Sequence, residues 1–162
     1  MAVHTGKVTD RRELSFGTLA DAVADAERIA CAEKAGTLRR SGNWTAGQAI
    51  NHVAAFMEYP FDGYPREMSA PPWIVRVLVK PLKSRYLRRL PAGVRVPGVP
   101  GGTVGAEDGP VDAAVARLAQ AARRLQATAP QAPNPVFGTM THGEWLQINC
   151  RHAELHFSFL HP

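Results

Sequence analysis

The chain has 162 residues, 45% of them hydrophobic and 20% charged, which is the profile of one ordinary globular domain with a real core. No run of about eighteen apolar residues occurs, and the first thirty residues are too acidic for a secretion signal, so a single domain spanning 1–162 in the cytoplasm is expected. The formal charge of +5 is local: between Met68 and Ala106 there are seven basic and no acidic residues, so that segment contributes +7 and the remainder −2. Cys31 and Cys150 are the only cysteines and do not make a disulfide framework.

Residues 1–17 are polar and show no period, as expected of a partly ordered N-terminal arm. From Thr18 to about Ala35, Leu19, Ala22, Val23, Ala26, Ile29 and Ala30 recur at three and four, with charges between them. That spacing predicts an amphipathic helix ended by Gly36. Thr45 and Gln48 form the pattern of a capping box, and the helix they open is expected to run to about Tyr59 and stop at Pro60. Ala49, Val53 and Phe56 line its inner stripe, and His52 falls on the same stripe.

Residues 60–107 form a long connection, rich in proline at its entry and in proline and glycine at its exit. Between Trp73 and Leu90 it has room for one or two short helices, broken near Pro81, and it is expected to pack over the helices. A third long helix opens at Pro110 and carries Val111, Ala114, Val115, Leu118, Ala121, Ala122 and Leu125 inward to about Thr128. The last helix opens with the Thr141 and Glu144 capping pair. At 100° per residue from Trp145, Ile148, Asn149, His152, His156 and Phe159 lie within about 60°, which predicts both histidines in the middle of the buried stripe. Cys150 lies about 140° away and reads as a packing residue on the helix flank. His4, His142 and His161 are expected at the surface.

An H-x-x-x-H spacing is weak evidence alone, but three imidazoles from two helices make a site for a divalent ion such as zinc or nickel. His52, His152 and His156 are therefore the expected metal ligands, and three protein ligands leave a position for water or substrate. Asn149, one turn before His152, could orient a ligand or the bound water. Glu154 points away from both histidines, Glu144 is accounted for by capping, and no catalytic residue is assigned.

The segment Asn43 to Val53, with Trp44 ahead of a short helix start and His52, resembles the DinB-like (YfiT-like) superfamily of metal-dependent enzymes. So do Asn134 to Gly138 leading into Thr141, Glu144 and Trp145, and the closing His152 and His156; together these matches span most of the chain from about residue 18. The resemblance implies an all-α, antiparallel four-helix bundle with a zinc or nickel site between the second and last helices. It also implies a homodimer in many members, and in some a thiol-S-transferase using a small thiol, others being called hydrolases. The basic, proline-rich connection departs from that pattern. An alternative reading is a non-catalytic helical module for binding or dimerisation, whose connection contacts anionic partners. Peripheral membrane contact through Trp73 to Val79 or a nucleic acid is weaker than a plain solvated basic face.

Overall fold

Three of the four long helices begin with the same device, a threonine and a polar residue three positions on that satisfy each other's exposed backbone donors. The computed structural model, which describes residues 3–68, 80–93 and 103–162, shows this reciprocal pair at Thr18 and Asp21, at Thr45 and Gln48, and at Thr141 and Glu144. These open α1 (Leu19–Ala35), α2 (Ala46–Asp62) and α5 (His142–Phe157). Helix α4 (Val111–Ala127) starts after Pro110, whose fixed φ of −57° serves as the cap without a side-chain bond. A short α3 (Lys83–Arg88) lies in the connection, preceded by a 3₁₀ turn over Lys80–Leu82 that contains Pro81. The expectation of membrane contact through Trp73 to Val79 falls on residues outside those described.

The described residues are mostly helical, with one short antiparallel strand pair, β1 (Arg39–Arg40) and β2 (Leu160–His161), joining the α1–α2 connection to the chain end. Helix α2 packs against α4 and α5, and α1 packs against the same two. Ile29, Ile50, Leu118, Leu125 and Phe157 meet in one core contributed by all four long helices. No described helix is long and apolar enough to cross a membrane.

Two expectations about helix limits change. Helix α2 does not stop at Pro60 but runs through it to Asp62, with Gly63 N bonded to Tyr59 O at 3.0 Å. Proline removes one backbone donor, and so close to the C-terminus the remaining turn still closes. Helix α5 ends at Phe157, which leaves Phe159 outside the helical stripe. Gly36 ends α1 as expected, with φ at +71°, where a side chain would be strained.

The N-terminal arm is more ordered than its composition suggests. Arg12 makes a two-pronged ion pair with Asp25 (3.0 and 2.6 Å) and also donates to Phe157 O at 3.2 Å. Asp25 is fully buried on α1, and Arg28 reaches it from the solvent side at 2.8 Å. Phe16 is buried, its N donates to Glu154 Oε1 at 2.5 Å, and its carbonyl accepts from Arg151. The arm is thus a strap tying α1 to the end of α5. A buried carboxylate that loses its partner costs several kcal/mol, whereas an exposed pair contributes little. Arg12→Ala should therefore lower unfolding free energy by about 3 kcal/mol and Arg28→Ala by less than about 1 kcal/mol, measured by urea denaturation.

Candidate metal centre

His52 lies in the second turn of α2, and His152 and His156 occupy the last two turns of α5, where the two helices pack together. The Nε2 of His152 is 3.1 Å from the Nε2 of His52 and 3.1 Å from the Nε2 of His156. One ligand-capable nitrogen from each of the three lies within 4.8 Å of the other two. Among the described residues this is the cluster of histidines, cysteines and carboxylates with metal-holding geometry.

The protonation of this cluster follows from its surroundings. His52 Nδ1 is 2.7 Å from Val104 O, and a carbonyl only accepts, so the proton sits on Nδ1 and the Nε2 lone pair faces the other rings. Burial pushes the His52 pKa down to about 4, against the opposing pull of the Val104 carbonyl. His152 and His156 are held well below the ordinary value, first by burial and then by the neighbouring histidines, with Arg11 adding to the effect on His156. All three are neutral at pH 7.

Neutral rings in this arrangement cannot satisfy one another. If His152 carries its proton on Nε2, it donates to one neighbour and leaves the other contact without a true hydrogen bond. If it carries the proton on Nδ1, its Nε2 lone pair meets that of His52, and Nδ1 is buried without a partner. Either way, at most one of the two 3.1 Å contacts is a hydrogen bond. A cation accepts all three lone pairs at once, and nitrogens about 2.0–2.1 Å from a tetrahedral ion lie about 3.3 Å apart. The three residues therefore fit a divalent metal.

Aromatic rings enclose the nitrogens. Trp44 stacks on His156 with centroids 4.9 Å apart and an interplanar angle of 15°, and meets His52 edge-on at 4.8 Å. Phe56 covers the other side, 4.6 Å from His52 and 4.5 Å from His152. His52 is buried, while His152 and His156 are only partly so. The two α5 histidines lie at the edge of the buried face rather than in its middle, because Cys150, Ala153 and Phe157 shift that face to one side. Phe16 of the arm belongs to the same buried cluster as those three, and Cys150 is a core residue. Burial raises the Cys150 thiol to about 11, so it is not a nucleophile at neutral pH.

The other expected residues sort clearly. Asn149 is buried, and its Nδ2 donates to Trp145 O one turn back at 2.9 Å, so that donor is used within its own helix. Glu154 holds Phe16 N and Arg151, away from the histidines, and Glu144 holds the cap and Lys83 Nζ at 2.6 Å. His4 is exposed, but His142 is partly buried with Nε2 2.6 Å from Leu125 O near the end of α4, and His161 is partly buried beside Ser41. Val104 was invisible to sequence reasoning, because its contribution is a backbone carbonyl in a proline- and glycine-rich stretch. Gly105 holds it there: with φ at +74°, an added Cβ would come within 2.6 Å of Tyr59 Oη and 2.8 Å of Ala55 Cβ.

Residues 8–162 match the family model described as Protein of unknown function (DUF1569). The chain belongs to that family. No curated protein and no solved structure matches this DUF1569 chain.

Two outcomes follow from the site. In the metal-free DUF1569 chain the native histidines stay neutral while unfolded histidines protonate near pH 6.5, so the unfolded state binds more protons on acidification. Stability should fall as pH drops from about 6.5 to about 4, with His52 accounting for on the order of 3 kcal/mol. The urea midpoint should drop less steeply over that range in His52→Leu; equal slopes would refute the burial argument. Gly105→Ala should displace the Val104 carbonyl and cost about 1–3 kcal/mol. Long-range ¹H–¹⁵N spectra should then show His52 losing its fixed Nδ1–H tautomer.

Proposed function

We propose that this DUF1569 protein holds a divalent metal ion, zinc or nickel, on His52, His152 and His156, and uses it in chemistry on a small molecule. The supporting observation is the pair of 3.1 Å Nε2 contacts around His152, which neutral imidazoles cannot both convert into hydrogen bonds. The proposal includes an antiparallel four-helix bundle of the DinB-like type, with the site between α2 and α5. The packing of α2 on α5 and a core shared by all four long helices support that architecture.

With three protein ligands, one side of the ion remains for water or substrate, the catalytic pattern rather than the closed structural one. The position of His152 and His156 at the edge of the buried face supports access to that side from solvent. The bound ion supplies Lewis acidity to whatever occupies that position. Val104 O fixes the tautomer and orientation of His52, as outer partners of ligating histidines commonly do. Trp44 and Phe56 keep water from the flanks of the rings.

The proposal keeps both reaction classes implied by the resemblance, thiol transfer and hydrolysis. The two carboxylates of α5, Glu144 and Glu154, are committed to structural partners, so neither serves as a general base. A bound ion would lower the pKa of either nucleophile, a thiol or a water, so neither class needs such a carboxylate to ionise it. The alternative, a non-catalytic module for binding or dimerisation, has no observation of comparable weight.

Metal analysis of purified protein tests the proposal. Wild type should carry about one equivalent of zinc or nickel, and His152→Ala should bind it at least about 100-fold more weakly in a chelator competition. Equal, sub-stoichiometric metal in both proteins would sink it.

A further inference from the structure

A second feature lies between the N-terminal arm and the connection. There a half-open cavity of about 620 Å³ is lined by Arg11, Arg85 and Arg89 together with Tyr86, Leu82 and Leu90. Elsewhere Arg12, Arg39, Arg117, Arg124 and Arg151 each pair with a carboxylate. Among the described residues none of the three cavity arginines does, and the segment 68–106 has no acidic residue to offer.

The cavity is organised as well as charged. Arg11 is fixed by Ser158 Oγ (2.9 and 2.8 Å) and Leu155 O (3.3 Å), and its guanidinium lies 4.5 Å over the Phe159 ring. Those bonds use Nε and Nη2 and leave Nη1 without a partner among the described residues. Arg85 and Arg89 project from the connection, one before and one after the end of α3. Beside them Leu82 is 41% exposed, one of two large hydrophobic residues so open among those described. Guanidiniums lining one cavity match the planar oxygens of a carboxylate or phosphate, and each fork can bind two of them. The adjacent leucines suit an apolar body.

We propose that this cavity binds a small organic anion, its carboxylate or phosphate group on Arg11, Arg85 and Arg89 and its apolar part on Leu82 and Leu90. The site uses none of the three histidines, so it stands or falls separately from the metal. It also gives the basic connection a task beyond a solvated face.

Calorimetric titration of the metal-free full chain at low ionic strength, with benzoate and phenyl phosphate as probes and benzyl alcohol as the neutral control, tests it. One saturable site is expected for at least one anion and none for the alcohol. The tighter probe identifies the carboxylate or the phosphate as the group recognised. Arg85 and Arg89 are exposed, so the Arg85→Gln/Arg89→Gln double variant should fold normally by circular dichroism and bind at least about tenfold more weakly. Affinity should be retained in His152→Ala and in Arg123→Gln, an exposed arginine on α4. No saturable binding, unchanged affinity in the double variant, or a loss in His152→Ala or Arg123→Gln would overturn the proposal.

Discussion

Three neutral imidazoles are pressed together where α2 meets α5, and much of the surrounding structure serves to keep them there. Each ring brings a lone pair or an N–H that its neighbours cannot all satisfy. Burial suppresses protonation, which would otherwise let charge repulsion drive the rings apart. Val104 O directs the one assignable proton outward, Trp44 and Phe56 hold the ring planes, and Gly105 allows the loop close enough to α2 to do so. Such a centre is costly as a bare polar cluster and favourable as a ligand set.

The arm has a comparable role at the same end of α5, on its other flank. Arg11 and Arg12 both bond to the final turn, and Phe16 joins the buried cluster that contains Cys150 and Phe157. By covering one flank of α5, this strap helps leave the histidines at the margin of the buried face. The same arm supplies Arg11 to the basic cavity, so a segment that reads as a polar extension borders both polar features of the molecule.

Much of the helical framework was legible. The Thr45–Gln48 and Thr141–Glu144 capping pairs, the apolar stripes of α1 and α4 and the glycine after α1 are local signals, governed by contacts within a few residues. His52 on the inner stripe of α2 and the four-residue spacing of His152 and His156 were legible for the same reason. Asp25 was not, because a carboxylate on a helix reads as solvent-facing until Arg12, thirteen residues earlier, folds over it. His142 was misjudged for a similar reason, its partner being a carbonyl of another helix.

The sequence by itself determined which segments are helical and which three histidines can share a centre, since both depend on periodicity and nearest neighbours. Only the tertiary structure decided that their Nε2 atoms converge to 3.1 Å around His152, with a backbone carbonyl setting the tautomer of His52. It alone placed those histidines at the edge of the core and gathered Arg11, Arg85 and Arg89 around one cavity. Convergence of that kind is a property of packed surfaces distant in sequence, and local patterns do not encode the angle at which two such surfaces meet.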